Sequence, residues 1–273
     1  MCSSAKTVPR LLGGVVFGGA FALTVGFAQA QVQPAEVRPD TGAFTVDARV
    51  ALHSLISLSD GHLKKMADVL TILAATDAVR SADWDRIRPA LVEAARMNVP
   101  AVHWFARPDG TYWTLEHGRA TESLSDRPYF PGVLAGETVI GSLVVSRSTN
   151  FNTAIVAVPV RGSDDAVVGV LGSSVELDSL TAIIRREMGG LKAGLVFFAI
   201  DAEPRGALNS DPALIFTEPT KLGDEGMTRA FMEILSNQEG VVTYTFRGSE
   251  RTVLYRKSPV SGWWYGFGIL RQP

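Results

Sequence analysis

Cysteine is almost absent from the sequence, which has one such residue, Cys2, in 273 positions. One thiol cannot close an intramolecular disulfide, so the folded chain depends on its hydrophobic core for stability. The composition allows such a core, because 46% of the residues are hydrophobic and 20% are charged. Because Cys2 lies within the first thirty residues, whose pattern is that of a removable leader, we expect an ordinary folded protein whose mature chain has no thiol chemistry.

An excess of positive charge is also lacking. The chain has 26 lysines and arginines against 28 aspartates and glutamates, a formal net charge of −2 at pH 7. Proteins that bind nucleic acids usually carry a basic surface that neutralises phosphates. We therefore expect no nucleic acid partner.

Motifs of catalysis and metal binding are missing as well. The chain has four histidines, and none of them stands in an H-E-x-x-H arrangement. Nucleophile-elbow, Walker and dinucleotide-binding glycine motifs do not occur either. The sequence thus predicts a protein that is not an enzyme and that uses no cofactor and no metal.

Long hydrophobic runs are lacking after the N-terminus, where the one such run stands. Lys6 and Arg10 precede LLGGVVFGGAFALTVGFAQA, which ends in small residues at Ala28 and Ala30. This order is typical of a secretory signal peptide, so we predict that residues 1–30 are cleaved off and the protein is periplasmic or secreted. The alternative is an uncleaved N-terminal anchor, because the run approaches the length that spans a bilayer.

After residue 30 the sequence pattern is first helical and then strand-like. Residues 31–97 begin as a proline-bearing linker and continue as helices, because apolar residues recur at spacings of three and four from Phe44 to about Arg80 and again further on. The stretch VPAVHWFARPDGTYWTL comes next. Its Asp109-Gly110 pair is typical of a β-hairpin turn.

Two blocks of similar order make up the rest of the chain, at 98–182 and 190–273. In each block two strand patterns, a helical segment and three further strand patterns succeed one another. Short connections between strands favour antiparallel neighbours. We predict an α+β fold in which a long N-terminal helix packs along two antiparallel five-stranded sheet modules.

An ordered set of segments resembles the double Cache family, the extracellular sensor domains of bacterial receptors built from two PAS-like modules. The first block contributes ADWDRIRPALVEAARMN, FARPDGTYW, SLSDRPYF, AIVAVPV and VVGVLGSSVELDSL, and the second contributes FFAIDAEPRG and SPVSGWWYGFGIL. The resemblance implies that 98–182 is a distal Cache module with a ligand pocket and 190–273 a proximal Cache module. It also implies that the protein senses small molecules such as amino acids, organic acids, amines or nucleobases.

One departure from the family concerns signalling output. Family members usually have a transmembrane helix on each side and a cytoplasmic output module, and the sequence ends at Pro273 with neither the second helix nor an output module. On the resemblance we expect a sensor without its own output domain, which presents its bound state to a membrane signalling receptor.

A second departure concerns the ligand. The resemblance places Arg127, in SDRPYF, on the ligand's carboxylate. Amino-acid-binding members follow this arginine with a Trp-Tyr pair, where Tyr129 and Phe130 stand here. Their aspartate that receives the ammonium group aligns with Ser174. The carboxylate clamp therefore survives while the ammonium receptor is missing, which favours a small organic anion.

Further residues complete the predicted site. Aromatic walls and a polar rim are expected around the arginine. The predicted ligand-binding residues are Arg127, Tyr129, Trp104, Tyr112, Ser146, Ser148 and Ser174. Tyr112 and Trp113 cannot both face the pocket, because neighbouring strand residues point to opposite faces.

The sequence leaves two alternatives open. Arg127 can instead pair with Asp126 or Glu122, in which case the fold serves as a structural or protein-interaction module that has lost its pocket. In the second block, the aromatic run around Trp263 is expected to close a core, and the sequence offers no convergent polar groups for a second pocket.

Overall fold

A computed structural model describes residues 47–190, 192 and 194–271. The predicted signal peptide and nearly all of the predicted linker lie outside these residues. Among the helices in the described ranges, none is long and apolar enough to cross a membrane.

One long helix leads the described chain. Helix α1, Ala48–Ala74, begins at Asp47, whose carboxylate accepts a 2.8 Å hydrogen bond from the backbone N–H of Arg49. Its buried stripe recurs at the helical period and includes Leu52, Leu55, Leu63, Met66 and Leu70. The predicted helical region divides at Ala75 into α1 and a short α2, Asp77–Arg80, and α3, Trp84–Met97, follows.

The first sheet has six antiparallel strands in the order β3-β2-β1-β6-β5-β4. The strands are β1 (Ala101–Ala106), β2 (Thr111–Thr114), β3 (Gly118–Ser123), β4 (Val139–Val145), β5 (Asn152–Arg161) and β6 (Val167–Glu176). Helix α4 (Phe130–Leu134) lies between β3 and β4 in the chain, and α5 (Leu177–Glu187) follows β6.

The sixth strand, β3, is a correction to the five predicted for this block. Its sequence, GRATES, has one β-branched residue and no aromatic residue, so its strand signal is weak. It lies at the sheet edge and is mostly exposed, and pairing with β2 holds it in place.

The second sheet has the five predicted antiparallel strands, in the order β8-β7-β11-β10-β9. They are β7 (Leu195–Ile200), β8 (Gly206–Asn209), β9 (Glu239–Phe246), β10 (Ser249–Lys257) and β11 (Trp264–Arg271). Two 3-10 turns, Pro212–Leu214 and Pro219–Lys221, and helix α6 (Glu225–Ser236) connect β8 to β9.

Helix α1 packs against both sheets, as predicted. One face of each sheet joins α1 in a shared core, to which β1 contributes Phe105 and β11 contributes Tyr265. The opposite faces form two separate clusters, one with Trp104 and Tyr112 and one with Phe198 and Trp264. Each sheet therefore has a second face, away from α1, that is closed by its own loops and short helices.

Candidate ligand-binding site

All seven predicted site residues line one cavity on the face of the first sheet away from α1. The strands bring in Trp104, Tyr112 and Ser174, while Ser146 and Ser148 come from the end of β4 and the turn after it. Arg127 and Tyr129 come from the segment between β3 and α4. As predicted, Tyr112 faces this cavity and Trp113 faces the core shared with α1.

The cavity floor is formed by Trp104 and Ser174. The indole Nε1 of Trp104 donates a 3.2 Å hydrogen bond to the Ser174 hydroxyl. Gly172 makes this indole position possible, because a Cβ there would lie 2.2 Å from the ring. Ser174 therefore holds the tryptophan in place and supplies no negative charge.

Two tyrosines form the walls. Tyr129 is 6% exposed, its ring centroid lies 6.3 Å from that of Trp104, and burial raises its pKa above the usual tyrosine value. Tyr112 is 3% exposed, and its buried hydroxyl has no hydrogen-bond partner among the described residues. Burial raises the Tyr112 pKa and the negative charge of Glu122 raises it further, while the positive charges of Arg147 and Arg127 oppose that rise. A buried hydroxyl without a hydrogen-bond partner costs about 1–3 kcal/mol, so a hydrogen-bonding group placed at the Tyr112 hydroxyl would be stabilising.

Arg127 stands at the mouth without a carboxylate. Its Nη2 donates a 2.9 Å hydrogen bond to the backbone carbonyl of Val145 at the end of β4. Within residues 47–190, 192 and 194–271 it forms no ion pair, so the alternative pairing with Asp126 or Glu122 does not occur. Arg127 is half-buried, and its guanidinium has no carboxylate within ion-pair distance among the described residues.

Arg147 is a lining residue that the predicted site set omits. It forms a 2.6 Å ion pair with Asp126 and also donates to the backbone carbonyl of Ser123. Its guanidinium lowers the pKa of Asp126, chiefly through the hydrogen bond between them. In the sequence, Arg147 stands in the polar run SRSTNFN, which indicates a polar rim. Its ion-pair partner Asp126 lies 21 positions earlier, so the run alone does not reveal the pairing. Arg147 and Arg127 thus both tie the β4–β5 turn to the segment before α4.

The cavity is nearly closed in this form. Its volume is about 20 Å³, which is room for about one water molecule. Sites for small molecules commonly measure roughly 300–1,000 Å³. Apolar side chains of Leu124, Val144 and Ile155 complete the lining, and no aspartate or glutamate of the described chain belongs to it.

Comparison with known proteins gives similarity at the level of structure. No family model matches the sequence, and no curated protein is similar to it. The ligand-binding domain of the Pseudomonas fluorescens chemoreceptor CtaA, in complex with L-alanine, superposes with a TM-score of 0.64 at 16% identity, covering 82% of this chain and 95% of that one. The ligand-binding domain of the Pseudomonas aeruginosa PAO1 amino acid chemoreceptor PctB, in complex with L-arginine, superposes with a TM-score of 0.62 at 16% identity, covering 81% of this chain and 94% of that one.

A receptor of another kind is similar to the same extent. The extracellular domain of the histidine kinase rpHK1S-Z16 superposes with a TM-score of 0.66 at 15% identity and covers 82% of this chain and 92% of that one. These solved structures are sensor domains of the Cache type. The protein thus has the double Cache fold of bacterial extracellular sensor domains, as the resemblance in its sequence implies.

Proposed function

We propose that this protein is an exported sensor domain that binds a small organic anion in the cavity of the first sheet through Arg127. The observation that carries the proposal is the convergence of an uncompensated guanidinium with the unpaired hydroxyl of Tyr112 at one apolar-walled cavity. Both groups donate hydrogen bonds, and a carboxylate accepts two or more. One ligand carboxylate would satisfy both.

The lining favours an acid without an amino group. A ligand ammonium binds most strongly to a carboxylate, and the lining has none among the described residues. The Ser174 hydroxyl already accepts from Trp104. The amino acids in the chemoreceptor complexes support a small-molecule ligand, while the chemistry of this cavity favours an anion such as an organic acid.

Binding requires the cavity to open. Arg127 would exchange the Val145 carbonyl for the ligand carboxylate, and the turn after β4, held by Arg147 and Asp126, would move outward. These contacts are hydrogen bonds at the protein surface, whose net contribution is small. The contacts of Arg127 with the Val145 carbonyl and of Arg147 with Asp126 are therefore weak enough for a ligand to displace.

Export and module roles are part of the same proposal. The leader at 1–30 would direct the chain to the periplasm or outside the cell, unless it is retained as an anchor, and 98–182 and 190–273 would be the distal and proximal modules. We propose a non-catalytic role, in keeping with structural neighbours that are sensor domains. The bound state would be passed to a membrane signalling receptor.

One specific observation favours a different function. Tyr129 packs inward and the cavity volume is about 20 Å³, as expected of an interaction module that has lost its ligand. The absence of an ion pair on Arg127 within the described chain stands against this alternative.

A binding screen separates the two functions. Thermal shift and calorimetry of the wild type with acetate, pyruvate, malate and succinate, and with alanine and purines for comparison, should identify an anion that raises Tm. Arg127→Ala should abolish that shift, whereas Arg88→Ala, on an exposed face of α3, should keep it. Full affinity in Arg127→Ala would place the site elsewhere, and no shift with any compound would favour the interaction module.

A further inference from the structure

The second sheet has a cavity at the position that corresponds to the first. The strand orders β2-β1-β6-β5-β4 and β8-β7-β11-β10-β9 match one another, and in each sheet the cavity lies on the face away from α1. The second cavity is roofed by the two 3-10 turns and by α6. Its walls are mainly apolar and aromatic, with Phe198, Leu214, Met227, Phe231, Tyr244 and Phe246.

Arg251 brings a charge into this apolar cavity. It lies on β10 on the same face as Val253 and Tyr255, which belong to the cluster away from α1. Its Nε is buried and has no hydrogen-bond partner in the described part of the chain. The guanidinium carbon lies 4.7 Å from the centroid of the Phe246 ring.

A second arginine, Arg247, contacts the same Phe246 ring and has an ion-pair partner. The guanidinium carbon of Arg247 lies 5.0 Å from the Phe246 centroid, and its Nη1 forms a 2.9 Å ion pair with Asp211. Arg251 forms no ion pair within 47–190, 192 and 194–271. Of the two arginines at the Phe246 ring, Arg247 is compensated by Asp211, whereas Arg251, which lines the cavity, has no carboxylate partner among the described residues.

The roof is held in place by specific contacts. Gly206 exchanges backbone hydrogen bonds with Phe216 and Thr217, at 2.7 and 2.8 Å. A Cβ on Gly206 would lie 2.5 Å from the Leu214 carbonyl, so the close approach of the roof requires glycine. Asn209 also lines the cavity, and its Oδ1 accepts from the Asp211 backbone N–H at 2.9 Å. Its side-chain NH₂ is the donor that remains for a ligand.

We propose that the second sheet holds a separate binding site for a small monocarboxylate with an apolar tail. The carboxylate accepts hydrogen bonds from Arg251 and Asn209, and the tail lies among Phe198, Phe231 and Phe246. An apolar wall with a few placed donors is the usual design of a small-molecule site. A dicarboxylate or an amino acid is disfavoured, because the described lining residues supply one cation and no anion.

The lining side chain that moves to admit such a ligand is Met227. The cavity volume is about 20 Å³, so a tail must displace a side chain. Met227 is unbranched and lies in space left by Gly223, where a Cβ would be 2.4 Å from its sulfur. Methionine adapts to irregular gaps at low cost, so a rotamer change there opens the cavity without moving the sheet.

Calorimetry on the full chain tests the proposal with butyrate and benzoate as probes and butyramide as the uncharged control. We expect the wild type to bind at least one of the two anions and to bind butyramide at least about tenfold more weakly, since a charge-assisted hydrogen bond is lost. Arg251→Met should weaken anion binding by at least about tenfold. Arg247→Met and Arg127→Met should keep the affinity.

Each other outcome decides against the site. No binding of either anion by the wild type overturns the proposal. Binding that is lost in Arg127→Met and kept in Arg251→Met assigns the anion to the first sheet, which leaves the proposed function standing and removes the second site.

A second measurement tests the proposal without the Arg251→Met variant, in case that variant does not fold. In wild-type protein labelled at the methionine methyl groups, butyrate should shift the NMR signal that Met227→Leu removes. An unchanged Met227 signal at saturating butyrate would overturn the proposal.

Discussion

The indole Nε1 of Trp263 donates a 2.8 Å hydrogen bond to the backbone carbonyl of Gly141. Trp263 precedes β11 in the second sheet, and Gly141 lies in β4 of the first, at the register shift between Ile140 and Ser142. The bond joins the two sheets at a point 122 positions apart in the chain. Strand β4 thus links this joint to the mouth of the first cavity.

Gly141→Ala should destabilise the protein. Gly141 has φ +92°, and a Cβ there would lie 3.0 Å from the Ser261 carbonyl and 3.1 Å from the indole Nε1. We expect a loss of about 2–3 kcal/mol in the free energy of unfolding, measured with urea, from backbone strain and displacement of the indole. Gly118→Ala is the matched control, because φ is +66° there and nothing lies within 4 Å of the added Cβ. Equal losses in the two variants would show that the hydrogen bond between Trp263 and Gly141 contributes nothing to the stability of the protein.

Asp60 should make the protein more stable in mild acid. Its carboxylate is buried on α1 and accepts hydrogen bonds from Ser258 at 2.6 Å and Ser261 at 3.1 Å. Burial raises its pKa, and these hydrogen bonds oppose the rise. The folded state therefore binds the proton more tightly than the unfolded state. Its contribution is fully present below the unfolded pKa near 4 and is lost as pH rises through the folded pKa.

Urea unfolding at several pH values tests this dependence. Between pH 7 and pH 4, the unfolding free energy of the wild type should rise relative to that of Asp60→Asn. Asp68→Asn, which removes an exposed partner of Lys64, should leave the dependence near that of the wild type. A constant difference between wild type and Asp60→Asn across this range contradicts the assignment.

His103 should act in the opposite direction. It is buried in β1, its Nδ1 lies 2.7 Å from the Ser173 hydroxyl, and burial lowers its pKa to about 4. The unfolded state then binds the proton more tightly, so the stability present above pH 6.5 is lost as pH falls through the folded pKa. The full effect amounts to about 3 kcal/mol.

The measurement is the same urea series on His103→Asn, whose amide can still meet Ser173. Below pH 6.5 the wild type should lose stability that His103→Asn retains, after allowance for a constant offset. His117→Asn, at an exposed position, is the control. Parallel pH profiles for wild type and His103→Asn would show that the pKa of His103 does not differ between the folded and unfolded states.

Tyr112→Phe should separate binding from stability. The Tyr112 hydroxyl has no hydrogen-bond partner in the described chain, so its removal should leave the unfolding free energy unchanged or raise it by up to about 3 kcal/mol. Affinity for an anion that binds through Arg127 should fall. Tyr265→Phe is the contrasting variant, because its hydroxyl donates to Ser59 at 2.8 Å, and it should lose about 1–3 kcal/mol. A large destabilisation by Tyr112→Phe would mean that its hydroxyl is already satisfied.

Much of the fold was predictable because local signals carried it. The apolar period of α1 and the Asp109-Gly110 turn are short-range features, and both predict the elements that form. Strand β3 was missed because GRATES carries a weak strand signal and owes its place to pairing with β2. The predicted site residues line one cavity. They could be predicted because strand alternation and the double Cache resemblance both indicated the same face of the sheet.

The sequence by itself determined the two α/β blocks, ten of their eleven described strands in chain order and the residues around Arg127. Only the tertiary structure decided how the charges are compensated. Asp126 pairs with Arg147, which leaves Arg127 without a carboxylate, and Asp211 pairs with Arg247, which leaves Arg251 without one within the described chain. Ion pairs depend on distances between side chains that are far apart in the chain, and no local pattern encodes those distances.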